Sequence, residues 1–183
     1  MNTLVLTAHP DLSTSTANRT WFEALSDIEG IVTRDLMTVG GAEMRFDPAT
    51  EQALIEQADR IVMQFPFYWY SSPPVLKAWI DQVFLFGFAY GQGGNKLQDK
   101  ELILAITTGG PIESFQPSSY NHFSMNEFLT PFEQTAKMIG MHYLPPFVFH
   151  SAMSRDKTKL NASTSKLITY ITKPHLKSHE GIL

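Results

Sequence analysis

The 183-residue sequence has no cysteine, few charged residues and no long hydrophobic run. Without cysteine the chain cannot form disulfides or a Cys-based zinc or iron–sulfur centre, and we predict no metal site. Its 14 Lys and Arg residues are outnumbered by 18 Asp and Glu residues and form no basic run, so nucleic acid is not an expected partner. No segment approaches the ~18 apolar residues that span a bilayer, and no export signal is visible, so we expect a cytoplasmic protein.

Aromatic residues, by contrast, are abundant, at 13 Phe, 6 Tyr and 3 Trp. Ten of them lie between Phe65 and Tyr90, and eight more lie between Phe115 and Phe149. With 43% hydrophobic and only 17% charged residues, the composition is that of a folded domain and not of a disordered chain. The clustering indicates that part of the aromatic excess has a role beyond core packing.

Short apolar segments alternate along the chain with segments that have apolar residues at helical spacing. This alternation predicts an α/β domain with a doubly wound, five-stranded parallel sheet and helices on both faces. The predicted strands are 3–8, 30–36, 60–66, 101–108 and 142–150, and the predicted helices are 15–27, 48–58, 73–86, 126–140 and 157–171. We expect residues 1–183 to form a single domain, with a polar tail at 173–183 that is flexible or packed on a partner.

Ligands of such sheets bind beyond the carboxyl ends of the strands, so the loops after the strands are the places to search. The loop after the first strand is rich in hydroxyl and amide groups and leads into a helix, an arrangement that suits an anion. Its candidate ligand-binding residues are His9, Ser15, Thr16, Ala17 and Asn18. Simple capping of the helix by Ser13 to Ser15 is the alternative. The sequence has neither a Gly-x-Gly-x-x-Gly motif nor a Walker loop.

The loops after the third and fourth strands add a second kind of surface. Four consecutive aromatic residues, Phe67, Tyr68, Trp69 and Tyr70, follow the third strand and suit a flat ligand, with loop anchoring or a dimer surface as alternatives. Thr107, Thr108, Gly109 and Gly110 follow the fourth strand, where paired glycines allow close approach of a ligand or simply form a turn. In the flavodoxin-like strand order 2-1-3-4-5 these three loops are neighbours, and together they describe an FMN site.

These residues resemble a known family, the flavodoxin-like NAD(P)H:quinone oxidoreductases. The segment 64–84 is similar to that family's signature QFPxxWxxxPxxLKxWxxxVF. The other matching elements are His9, Ser15, Asn18, Phe88-Ala89-Tyr90 and Thr107-Thr108-Gly109-Gly110, so the resemblance covers roughly residues 1–150. The motifs AHP, WYSxPP, AYGxGG and LPPF resemble those of short bacterial members, including ancillary subunits of glutathione-gated potassium efflux systems.

The resemblance implies a homodimeric flavoenzyme in which NAD(P)H reduces FMN and the flavin reduces a quinone, in a ping-pong, two-electron hydride transfer. FAD is less expected, because the members that bind it have a longer C-terminal region. One alternative is a regulatory ancillary subunit of a potassium efflux transporter, which would place the protein at the inner face of the membrane through its partner. Azo- or nitroreduction on the same scaffold is another, and a one-electron carrier is a third.

The resemblance implies a substrate pocket lined by Trp69, Tyr70, Phe115 and Tyr120. Mammalian-type members have a Tyr where this chain has Phe115, so the match assigns no catalytic residue. Tyr120 and His122 are the candidate catalytic residues. The alternative is that both belong to an exposed surface loop without a catalytic role. A partner surface is expected to include Phe86, Phe88 and Tyr90.

Overall fold

A computed structural model describes residues 1–154 and 156–174. Its centre is a parallel sheet in the order β2-β1-β3-β4-β5, with β6 also paired to β4, which confirms the predicted order. The strands are β1 (Thr3–Thr7), β2 (Ile31–Asp35), β3 (Arg60–Pro66), β4 (Glu101–Thr107), β5 (His142–Tyr143) and β6 (Phe147–Phe149). All residues of β1, β3 and β4 are buried, as expected for parallel strands covered on both faces.

Helices cover both faces of the sheet, as predicted. They are α1 (Ala17–Ser26), α2 (Leu36–Gly40), α3 (Pro48–Gln57), α4 (Pro74–Val83), α5 (Met125–Phe128), α6 (Thr130–Met138) and α7 (Lys157–Ile171). On one face Trp21 of α1 and Leu167 of α7 pack in a core cluster with Val62 of the sheet. On the other face Trp79 of α4 and Ala136 of α6 belong to a second core cluster.

The predicted continuous strand at 142–150 is wrong, because the chain there forms two short strands. β5 pairs with Glu101 and Leu102, and β6 pairs with the segment 105–107 of β4. The interruption contains Pro145 and Pro146, which have no N–H group to donate to a ladder. β6 ends at Phe149, so His150 lies in the turn that follows the strand.

Two predicted helices differ from the structure, and one helix was not predicted. The predicted helix 126–140 is divided into α5 and α6 at Leu129, and Pro131 stands in the first turn of α6, where a proline is tolerated. The helix predicted to reach residue 86 ends at Val83. The short α2 was not predicted; it begins because the Asp35 side chain accepts a hydrogen bond from the Met37 N–H.

A buried ion pair joins the amino ends of β3 and β4. Arg60 donates from Nε to Glu101 Oε2 at 2.6 Å, and both side chains are buried. The Arg60 guanidinium also donates to the Ile171 and Lys173 carbonyls at the end of α7. Hydrogen bonds therefore connect this end of the sheet to α7, and the loops that follow the carboxyl ends of the strands lie at the opposite end.

The structure bears on two further expectations, the C-terminal tail and membrane-spanning segments. Of the predicted tail at 173–183, only Lys173 and Pro174 are described, and the rest lies outside the described residues. Within residues 1–154 and 156–174, no helix has the length and apolar character needed to cross a membrane.

Candidate functional site

Two adjoining clefts lie at the carboxyl ends of β1, β3 and β4. We call them the polar cleft, of about 300 Å³, and the aromatic cleft, of about 290 Å³. Phe67, Thr108 and Gly109 line both clefts, so the two form one continuous surface. The polar cleft is further lined by His9, Thr14, Ser15, Thr16, Ala17, Asn18, Pro66, Tyr68, Thr107, Ala152 and Met153. The aromatic cleft is further lined by Trp69, Tyr70, Gly110, Ser114, Phe115, Tyr120 and Asn121.

A buried hydrogen-bond network joins the strand ends beneath the polar cleft. Asn18 Nδ2 donates to Thr107 Oγ1 at 3.0 Å, and Gln64 Nε2 donates to the Asn18 carbonyl at 2.8 Å. The Gln64 carbonyl in turn accepts from the Ala8 N–H at 2.8 Å. Because the network connects α1, β1, β3 and β4, it fixes the relative positions of the loops that form the site.

The start of α1 presents hydrogen-bond donors to the polar cleft. The Asn18 N–H donates to Ser15 Oγ at 3.1 Å, so the capping alternative is correct for Ser15. A hydroxyl that accepts this bond still has its own hydrogen to donate. Within the described residues, the N–H groups of Thr16 and Ala17 have no protein acceptor. Capping and anion binding are therefore compatible at this helix terminus.

His9 also lines the polar cleft and is almost fully buried. Its Nδ1 accepts a hydrogen bond from the Asp11 N–H at 3.2 Å. Burial lowers the pKa of His9, and the Asp11 charge opposes that shift only in part. The neutral ring therefore has its proton on Nε2, which makes Nε2 a donor.

The loop after β3 makes a tight turn at Trp69 and Tyr70. Tyr68 and Ser71 exchange two backbone hydrogen bonds of 3.0 and 2.9 Å, and the two residues between them have φ values of 47° and 63°. Two successive positive φ values define the type I′ turn, which usually takes Asn or Gly. In the described part of the chain the Trp69 and Tyr70 N–H groups have no protein acceptor. A strained turn of two aromatic residues is a feature that functional loops share.

Packed rings form one wall of the aromatic cleft. The Tyr70 ring stacks on Phe128 with centroids 5.0 Å apart, and Phe67 contacts Phe115 edge-on at 6.0 Å. Tyr70 Oη also donates to Asn121 Oδ1 at 3.3 Å. The loops after β3 and β4 are thereby joined, and the cleft between them has a rigid aromatic lining.

The paired glycines after β4 are not required by packing. Neither has a positive φ, and an added Cβ would make ordinary contacts, at 3.6 Å to Met153 for Gly109 and at 3.7 Å to Ser114 for Gly110. Their N–H groups have no acceptor among the described residues. Glycine at these positions keeps the backbone accessible at a place where both residues line the aromatic cleft.

His150 is a site-adjacent residue that sequence reasoning missed. Its Nδ1 lies 3.0 Å from Thr108 Oγ1, and its ring centroid is 5.3 Å from that of Phe115. Burial lowers the pKa of His150, and the nearby charge of Glu113 opposes this shift. No sequence signal indicates it, because the apolar pattern predicts a strand that extends through residue 150.

The structure brings together all of the predicted cofactor-binding and substrate-pocket residues, each in one of the two clefts. Phe115 is buried, whereas Tyr120 is 84% exposed at the rim of the aromatic cleft. His122 is exposed and lines neither cleft. On the expected partner surface Phe86 is 68% exposed, but the expectation for Phe88 is wrong, because it is buried in the core next to Ala89.

An open parallel sheet in this order, with a cleft beyond the ends of β1 and β3, defines the flavodoxin class of α/β proteins. The family model described as flavodoxin-like fold matches residues 1–171. The chain belongs to this family, and the family resemblance found in the sequence is confirmed.

Curated relatives match nearly all of the chain. It is 46% identical over 174 residues to general stress protein 14 of Bacillus subtilis, covering 95% of this chain and 99% of that protein. It is 38% identical over 157 residues to KefG of Cronobacter sakazakii, named as a glutathione-regulated potassium-efflux system ancillary protein, covering 86% and 85% of the two chains.

Solved structures agree with the fold. General stress protein 14 of Treponema denticola, determined in complex with FMN, is 34% identical with a TM-score of 0.88, and the match covers 93% of this chain and 98% of that one. An NADPH-quinone reductase of P. pentosaceus is 31% identical with a TM-score of 0.87, covering 96% and 100%.

Proposed function

We propose that this chain is an FMN-dependent NAD(P)H:quinone oxidoreductase. The observation that carries the proposal is the continuity of the polar and aromatic clefts through Phe67, Thr108 and Gly109. FMN consists of a phosphate-bearing ribityl chain and a planar ring system, and it needs these two environments side by side. The solved relative with FMN, at 34% identity, supports the choice of cofactor.

The polar cleft fits the phosphate end of FMN by the chemistry of its donors. Thr16 and Ala17 offer N–H groups at the start of α1, Ser15 and Thr16 offer hydroxyls, and His9 offers Nε2–H. No Lys or Arg is among the lining residues of this cleft in the described part of the chain. A dianionic phosphate would therefore be held by neutral donors and the helix terminus.

The aromatic cleft fits the ring system and a substrate stacked on it. The N–H groups of Trp69, Tyr70, Gly109 and Gly110 are available to hold the polar edge of the ring and to stabilise negative charge on it. FMN, when bound, supplies two-electron hydride chemistry. Trp69, Tyr70, Phe115 and Tyr120 would orient a nicotinamide or a quinone. The proposed order is ping-pong, in which the nicotinamide leaves before the quinone takes the same place in the aromatic cleft.

Steady-state turnover of the purified protein tests this proposal. NADH and NADPH are each combined with a panel of quinones, azo compounds and nitro compounds, and the released flavin is identified by chromatography. We expect FMN, not FAD, and the highest kcat/KM with quinones. Preference for azo or nitro acceptors would replace the proposed substrate, and a protein that takes up no flavin would contradict the proposal. A stable one-electron reduced form during titration would favour a one-electron carrier.

The proposal includes a homodimer, for which the supporting observation is an exposed apolar surface after α4. Phe86 and Tyr90 are exposed there, with ring centroids 5.9 Å apart, and Leu85 beside them is 40% exposed. Exposed apolar clusters of this kind mark protein interfaces. Sedimentation of the wild type and of Phe86→Ser measures the association: a dimeric wild type with a weakened variant is the expected result.

A second candidate function is that of an ancillary subunit for a potassium efflux transporter. The observation in its favour is the 38% identity to KefG over 157 residues. In this role the protein would work at the inner face of the membrane through its partner. Affinity purification from detergent-solubilised membranes tests the association, and recovery of a potassium transporter is the result that favours it.

A further inference from the structure

His150 contacts the loop Thr108–Gly110, which lines the aromatic cleft and which we call the glycine loop. The segment that contains it is attached to that loop by three backbone hydrogen bonds: Thr108 N–H to the Phe149 carbonyl at 3.0 Å, Ser151 N–H to the Gly110 carbonyl at 3.0 Å, and Ala152 N–H to the Thr108 carbonyl at 2.9 Å. The position of the imidazole relative to Thr108 is therefore fixed by the backbone on both sides.

The hydrogen bonds of Thr108 determine the tautomer of His150. The Thr108 hydroxyl donates its single hydrogen to the Gly110 carbonyl at 2.8 Å. His150 Nδ1, at 3.0 Å from the same hydroxyl oxygen, must then be the donor. The neutral imidazole consequently has its proton on Nδ1, and the direction of the chain is His150 to Thr108 to Gly110.

The Gly110 carbonyl oxygen accepts two hydrogen bonds from this arrangement. It accepts both from the Thr108 hydroxyl and from the Ser151 N–H, which uses its two lone pairs. The peptide that follows Gly110 is fixed, while the Gly109 and Gly110 N–H groups have no acceptor among the described residues. The Thr108 carbonyl accepts a hydrogen bond from the Ala152 N–H, which orients the Thr108–Gly109 peptide and with it the Gly109 N–H. Donors that are oriented before a ligand arrives lower the cost of binding it.

Packing alone does not account for a histidine at this position. Its contact with Phe115, at 5.3 Å between centroids and 41° between planes, needs only a ring. Phenylalanine would keep that contact and lose the bond to Thr108. Among the described residues, the hydrogen-bond partner of the imidazole is the Thr108 hydroxyl, which bonds to the Gly110 carbonyl.

We propose that His150 is a positioning residue of the candidate flavin site: its Nδ1–H fixes the Thr108 hydroxyl and, through it, the Gly109–Gly110 backbone. This inference rests on the proposed function. It assigns no chemistry to the imidazole, which contacts the loop and not the substrate.

Two variants separate the hydrogen bond from the ring. His150→Asn places an amide N–H near the position of Nδ1, and His150→Phe keeps the ring without a donor. Flavin-free proteins are titrated with FMN and followed by flavin fluorescence. We expect His150→Phe to raise the Kd for FMN about tenfold, as loss of one orienting hydrogen bond would, and His150→Asn to stay within about twofold of wild type. His142→Phe, on an exposed side chain of β5, is the matched control and should leave the Kd unchanged.

A second measurement needs no flavin. Nitrogen-15 NMR of the flavin-free wild type at pH 8 reports which imidazole nitrogen of His150 is protonated. Protonation of Nδ1 is the expected result, and protonation of Nε2 would overturn the inference even if His150→Phe failed to fold. Equal FMN affinity of wild type and His150→Phe would also overturn it. A wild type that binds no FMN would instead overturn the proposed function and leave the tautomer assignment standing.

Discussion

The Asn18 side chain donates from Nδ2 to the Thr107 hydroxyl at 3.0 Å, and so connects the start of α1 to the end of β4 across 89 residues of sequence. Both side chains are buried, and both residues line the polar cleft. The bond joins the loop that would hold a phosphate to the loop that would hold a ring. Fold stability and site geometry therefore depend on the same contact.

Asn18→Ala should destabilise the protein and weaken FMN binding together. The substitution leaves the buried Thr107 hydroxyl without its partner, which costs about 1–3 kcal/mol. Urea denaturation of the flavin-free protein measures the stability, and fluorescence titration measures the affinity. Asn161→Ala, on an exposed position of α7, serves as the control and should change neither quantity. A stable variant with normal FMN affinity would contradict the role of this contact.

Gly109→Ala should separate stability from binding. Because Gly109 has an ordinary φ and space for a Cβ, the flavin-free variant should be as stable as wild type or more stable by about 0.4–1 kcal/mol. The methyl group would occupy the surface where the ring is proposed to bind, so we expect at least about tenfold weaker FMN binding. Thermal unfolding and fluorescence titration give the two quantities.

Gly140→Ala is the opposite case and the matched control for the glycine loop. Gly140 has a φ of 78° just after α6, where a side chain is strained by about 1 kcal/mol. It lines neither cleft, so this variant should lose stability and keep its FMN affinity. If both glycine variants weakened FMN binding equally, the contact proposed at Gly109 would be wrong.

His9→Ala should discriminate between flavins with and without a phosphate. The Nε2–H of His9 is proposed to donate to the phosphate, and a hydrogen bond to a charged group contributes about 1.5–3 kcal/mol. The Kd for FMN should rise about 10- to 100-fold, while the much weaker Kd for riboflavin should change little. Parallel titrations with the two flavins make this comparison. Equal losses for both would show that His9 acts on the fold and not on the phosphate.

The stability of the flavin-free protein should fall as the pH decreases below 6.5. The pKa values of His9 and His150 lie below their ordinary value of 6.5, because burial disfavours the charged ring. Below that pH the unfolded chain binds protons that the folded chain does not, so the stability is full above pH 6.5 and is lost as the pH falls towards the folded pKa values. Urea midpoints between pH 7.5 and 5 measure the effect, and His150→Asn should show a smaller decrease than wild type.

Much of the fold could be predicted because β1, β3 and β4 are buried on both faces and their residues are mostly apolar. The segment 142–150 has the same apolar character, but two prolines divide it, and only the pairing with β4 shows where each part lies. The division of the helix at Leu129 similarly depends on local geometry that a spacing pattern does not contain.

The site could be predicted as far as the topology determines it. Loops after neighbouring parallel strands must meet, so the loops that contain His9, Trp69 and Gly109 could be placed together from the strand order alone. The positive φ values of Trp69 and Tyr70 could not be predicted, because neither Asn nor Gly marks the turn. His150 was missed because it reaches Thr108 only through the pairing of β6 with β4.

A flavin site in the two clefts is tested by titrating the uniformly nitrogen-15-labelled, flavin-free protein with FMN and following its backbone amide resonances. We predict tight binding, with the largest shifts at the cleft N–H groups that have no acceptor among the described residues: Thr16, Ala17, Trp69, Tyr70, Gly109 and Gly110. Absence of binding, or shifts confined to another surface such as the groove beside Gly30 and Val32, would contradict it.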